Sequence, residues 1–76
     1  MPRIVPIPYR KFVRLLELED FTLVREYGDD MIYTQAGISR PIVVPRYDPL
    51  PVFIIKNALR AAGLGRERYF ELLEQI

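Results

Sequence analysis

Residues 21–35, FTLVREYGDDMIYTQ, decide the fold. Apolar, aromatic and β-branched side chains alternate with polar ones on both sides of a Gly-Asp pair, the pattern of two strands joined by a tight turn. Glycine at the first of two turn positions suits a type II′ hairpin, whose first central residue needs a positive φ. Pairing Tyr27 with Asp30 sets Glu26 opposite Met31, Arg25 opposite Ile32, Val24 opposite Tyr33 and Leu23 opposite Thr34. Successive side chains on a strand point to opposite faces. Leu23, Arg25, Tyr27, Asp30, Ile32 and Thr34 are therefore expected on one face, with Val24, Met31 and Tyr33 on the other. A longer turn would reverse these assignments.

Around the hairpin the periodicity changes. Residues 1–8 alternate proline with apolar residues and read as an extended arm. From Tyr9 to Glu19, Phe12, Val13, Leu15 and Leu16 recur at helical spacing, with Arg10, Lys11, Arg14 and Glu17 mostly on the opposite side. Ala36-Gly37-Ile38-Ser39 reads as a loop. RPIVV, residues 40–44, is the most β-branched run and gives a third strand, bounded by Pro41 and Pro45 where a missing N–H is tolerable. Val43, or else Ile42 with Val44, then joins the face of Leu23 and Ile32. A second helix begins near Pro51 and ends at Gly63. A third runs from Arg66 to Gln75. The clusters Phe53-Ile54-Ile55 and Tyr69, Phe70, Leu72, Leu73 are expected in the core. The order α-β-β-β-α-α predicts a two-layer α+β domain, with helices on one face of a three-stranded antiparallel sheet, the layout of double-stranded-RNA-binding folds.

At 76 residues the chain is expected to be one domain, since domains run from about 50 to 250 residues. Half the residues are hydrophobic and 28% charged, a composition that folds rather than one that stays disordered. The absence of cysteine excludes a disulfide scaffold and thiolate metal sites. The absence of histidine removes the usual acid and base near neutral pH and the commonest metal ligand. Neither a cofactor nor a resident metal is expected. A net charge of +1 gives no global drive toward nucleic acid. The proline-broken N-terminus is neither a signal peptide nor a membrane span, so a cytoplasmic location is expected.

Three segments resemble the HicA-type, or YcfA-like, toxin family. EDFTLVREYGDDMIY, residues 19–33, is similar to that family's GF-x-x-x-R-x-x-G-S-H-x-x-Y segment. RPIVVPRYDPLPVFIIKNALRAAGL, residues 40–64, resembles its third strand, Val-Pro exit and Ala-Gly-Leu helix end, and RERYFELL, residues 66–73, its closing helix. The resemblance runs from about Pro8 to Leu73. It implies an mRNA interferase with a fold like the double-stranded-RNA-binding domain, neutralised by a HicB-like antitoxin. Arg25 matches the family's strand arginine and Gly28 its turn glycine. Asp29 stands where serine is usual, and Asp30 stands at the catalytic histidine.

RNA hydrolysis without metal needs a base for the 2′-hydroxyl and an acid for the leaving oxygen. Aspartate, with an unperturbed pKa of about 3.9, suits neither task at neutral pH. Asp30 is thus open to three readings: a solvated turn carboxylate at a lost site, a weak catalytic base, or a ligand for a metal or a partner's arginine. Gly-Asp-Asp is also a metal signature of palm-type polymerases, machinery too large for this chain. Asp29, Asp30 and Glu26 could bind Mg²⁺, although Glu26 faces away from Asp30 in this register. Arg25 is open to a phosphate or to pairing with Asp30. Tyr27 is open to base stacking or cross-strand packing. Arg10, Lys11, Arg14, Arg40, Arg46 and Lys56 would form a phosphate-binding surface if the fold gathers them, and are otherwise a solvated charged face. Leu23 and Ile32, on a sheet face no helix covers, suggest an interface with an antitoxin or a second copy. The expectation is a HicA-like protein that binds RNA, a HicB-like antitoxin or both, with histidine-dependent RNase activity lost. The alternatives are an active mRNA endonuclease using Asp30 or another group, and a small homodimeric scaffold.

Overall fold

The hairpin forms where the Gly-Asp pair places it. In the computed structural model, which describes residues 2–76, strand β1 (Thr22–Tyr27) returns as β2 (Asp30–Thr34). Gly28 takes φ 59° while Asp29 keeps a negative φ, as a type II′ turn requires. Tyr27 pairs with Asp30, Glu26 with Met31 and Arg25 with Ile32, the predicted register. Beyond Arg25 the register shifts: Leu23 lies opposite Tyr33 and Thr22 opposite Thr34. Val24 is the extra residue of a β-bulge, which resets the alternation. Leu23 is therefore not in phase with Ile32 on the outer face, as the unbroken alternation predicts. Leu, Val and Thr fit either phase, so the sequence carries no sign of the slip.

Strand β3 (Ile42–Pro45) pairs antiparallel with β2, giving the sheet order β1-β2-β3. It begins two residues after the predicted Arg40. Ile42 lies opposite Tyr33 and Val44 opposite Met31, while Val43 lies opposite Ile32. The choice left open by the sequence falls to Val43 on the outer face. Ile42, Val44 and Tyr33 are buried. This inner face packs under helices α1 (Tyr9–Leu18) and α2 (Val52–Ala62), while α3 (Arg66–Leu73) packs against α1. Phe12, Leu15 and Leu16 of α1, Ile55, Ala58 and Leu59 of α2, and Tyr69 and Leu72 of α3 join the same core. Burying each such side chain contributes about 1.5–3 kcal/mol. On α2 the buried residues Ile55, Ala58, Leu59 and Ala62 recur at the i, i+3, i+4, i+7 spacing of one face. Phe53 lies off that stripe and is 65% exposed, correcting its expected place in the core.

The ends of the helices explain the chain's turns. At the close of α1, Phe21 N–H donates to the Leu16 carbonyl and Asp20 N–H to the Glu17 carbonyl, each at 3.0 Å. At the close of α2, Leu64 N–H donates to Leu59 O at 2.9 Å and Gly63 N–H to Arg60 O at 3.2 Å. Both are Schellman motifs, with a left-handed residue that reverses the chain. Asp20 (φ 67°) serves in the first and Gly63 (φ 72°) in the second. The N-terminal arm is held by a bridge between Ile7 and Leu50, with Leu50 N–H donating to Ile7 O at 2.7 Å. No described helix is long and apolar enough to cross a membrane.

Two measurements test this packing. No atom lies within 4 Å of the place a Cβ would occupy on Gly63, so Gly63→Ala meets only a backbone penalty. It should lower unfolding free energy by about 1 kcal/mol; an unchanged denaturant midpoint would show that the left-handed turn carries no strain. The Tyr69 hydroxyl is buried without a hydrogen-bond partner, and burial pushes its pKa up to about 12. Burial, with Glu17 nearby, also raises Tyr33. Each phenol ionises more readily in the unfolded chain, so its stabilisation is complete below the ordinary value of 10.0 and is lost as pH rises through the folded value. Stability should fall from about pH 10 upward. Tyr69→Phe, which removes the unpartnered hydroxyl, should gain up to about 1 kcal/mol and flatten that fall. Equal alkaline sensitivity of the two proteins would contradict this account.

Candidate nucleic-acid interface

The first helix opens with Arg10 and Lys11 and has no acidic residue in its first turn. Cations there oppose the helix dipole, which favours negative charge at this end. A local rule broken on the surface is often a mark of function. Arg10 is partly engaged, lying 3.9 Å from Asp48 and 5.1 Å over the ring of Tyr9. Lys11 and Arg14 are exposed, and among the described residues neither has a carboxylate within 4.0 Å.

Asp30 opens β2 and is half-buried, facing Tyr27 on one side and Pro45 on the other. It lines a groove of about 390 Å³ with Val43, Pro45, Tyr47, Ile54 and Ala58. Arg25 and Tyr27 are exposed on β1. Arg25 shares no ion pair with Asp30, so of its two readings the mutual one is not realised within 4.0 Å. No three carboxylates of the described residues gather where one cation could bind them together. In this arrangement Asp30 places a carboxylate at the lip of a mostly apolar groove, with no second acid-base group paired to it. Such a site can repel or orient a phosphate more readily than it can shuttle a proton.

Arg46 has a different task from the one its charge suggests. Its guanidinium pairs with the Glu26 carboxylate and donates to the Gly28 carbonyl at 3.3 Å, while its backbone N–H donates to Asp29 O at 2.9 Å. It clamps the hairpin tip to the exit of β3. This is a correction to its place among the RNA-contacting cations: its charge is already neutralised within the fold. Glu26, read from the sequence as a candidate Mg²⁺ ligand that faces away from Asp30, is the residue that holds it.

The remaining cations do not gather into one surface. Arg14 lines a concavity with Glu17 and Gln75, and Lys56 lines another with Arg3 and Arg66. Arg40 lines a third with Arg60. Sequence reading passed over Arg60, although its place seven residues after Phe53 and three after Asn57 puts these exposed residues on one side of α2.

The apolar candidates lie on the other side of the hairpin question. Every residue of β1 is exposed, including Leu23, Val24 and Tyr27. Ile32 is half-buried and its outer-face neighbour Val43 exposed. The strand is uncovered because the helices pack mainly on β3, at the opposite edge of the sheet. No family model matches this chain, and no curated protein matches it either.

Proposed function

We propose that the chain is a HicA-like RNA-binding domain of a toxin–antitoxin pair, cytoplasmic and held by a HicB-like antitoxin, in which the histidine-dependent nuclease reaction has been lost. The observation that carries this reading is the hairpin: Arg25 and Tyr27 stand exposed on β1 while Asp30, at the family's histidine position, sits half-buried beside the groove. The α-β-β-β-α-α order supports the family's double-stranded-RNA-binding layout. An ionised carboxylate at Asp30 has no proton to give a leaving oxygen and repels the scissile phosphate. The cations on α1 and the Arg25 guanidinium leave phosphate binding intact. The exposed apolar residues of β1 favour a protein partner there.

Incubation with labelled single-stranded RNA, with and without Mg²⁺, should give salt-dependent retention and no cleavage. Arg25→Ala should weaken retention by about three- to tenfold. Asp30→His should produce cleavage if the remaining groups still position the phosphate. Cleavage by the native chain that Asp30→Ala abolishes would replace this reading with an active endonuclease. A complete lack of retention at low salt, with a stable dimer in sedimentation, would replace it with the scaffold.

A further inference from the structure

One cavity beside α2 brings together two guanidiniums. The loop from Gly37 to Arg40 meets the outer side of α2 around a space of about 500 Å³, lined by Ser39, Arg40, Asn57 and Arg60. No carboxylate lines it. The ion pairs among the described residues engage Arg10, Arg46 and Arg68, and none engages Arg40 or Arg60. Two guanidiniums on one concavity leave positive charge there with no lining anion to offset it. The surroundings suit an oxyanion. Ser39 and Asn57 bring neutral donors, and each guanidinium presents a planar fork of N–H groups matched to phosphate oxygens. Gly37, at φ 88° with nothing within 4 Å of a Cβ position, keeps that wall of the loop open.

The cavity lies next to a second one. Asn57 and Ala61 line both this space and the groove walled by Val43, Tyr47 and Ile54. Tyr47 is about half exposed there, an aromatic surface on which a base can stack. A cationic cleft next to a groove lined by apolar side chains, Tyr47 and Asp30 has the two halves of a nucleotide subsite.

We propose that the Arg40–Arg60 cleft binds a phosphate group and that the Tyr47 side of the groove takes the attached base. The source of the phosphate, a single-stranded RNA backbone, rests on the RNA-binding reading; the cleft itself does not. The test uses the full chain, with anisotropy of a fluorescein-labelled single-stranded RNA and amide NMR shifts on adding inorganic phosphate. The double variant Arg40→Gln/Arg60→Gln should lose about tenfold in RNA affinity, and the single Arg60→Gln about threefold. The charge-matched control Arg3→Gln/Arg66→Gln should stay within about twofold. Thermal melts check that each variant is folded. Inorganic phosphate should move the Ser39, Arg40 and Asn57 amides in the native chain. If it does so while RNA is not retained, the cleft stands as a site for a free phosphorylated ligand and the RNA reading falls. RNA retained equally by the native chain and the double variant, or equal losses in the two double variants, would overturn the cleft and leave the RNA reading standing. Silent amides with phosphate and no effect of Arg40→Gln/Arg60→Gln on RNA would likewise overturn it.

Discussion

The burial of one sheet face under α1 and α2, with α3 closing the core against α1, is the constraint on which the rest depends. Tyr33 and Ile42 face each other across β2 and β3, Val44 follows two residues on, and all three are almost wholly shielded from water. In a chain of this size few other residues can contribute to a core, so each helix turns its apolar stripe into this one cluster. Phe12, Leu15 and Leu16 answer from α1, Ile55 and Leu59 from α2, and Tyr69 and Leu72 from α3. No buried charge interrupts the set.

That arrangement also decides what is left free. Because the helices concentrate on β3, β1 stands at the far edge with both faces wet. Edge strands are hazards unless something interrupts their pairing. Here the bulge at Leu23–Arg25 breaks one edge, and Pro41 and Pro45 bound the other. β1 thus exposes the side chains of Leu23, Val24 and Tyr27 rather than a long unbroken backbone ladder. The charges follow the same logic: Arg46 and Arg68 join separate elements through Glu26 and Glu19, Arg68 also pairs with Glu71 within α3, and no ion pair among the described residues engages Arg25, Arg40 or Arg60. Asp30 lines the groove beside Pro45 and Tyr47.

The hairpin, the three strands and the helix ends were legible because each rests on a local cause. Gly28 and Gly63 supply positive φ at the points where the chain reverses, and the spacing of apolar residues distinguishes helix from strand. The bulge at Val24 was not legible, since residues on both sides of it satisfy either phase of the sheet. The exposure of Phe53 needed the competing stripe of Ile55, Ala58, Leu59 and Ala62 to be resolved first. Arg60 looked like an ordinary solvated helix residue until the loop carrying Arg40 came beside it.

The sequence alone determined the order of elements, the position of the turn and the want of imidazole and thiol groups, because those follow from residue type and short-range periodicity. Only the tertiary structure decided which cations are free and which are committed. Glu26 and Arg46 are 20 residues apart, as are Arg40 and Arg60. Whether a guanidinium meets a carboxylate or a second guanidinium across such a separation depends on strand pairing and helix docking, which local sequence does not encode.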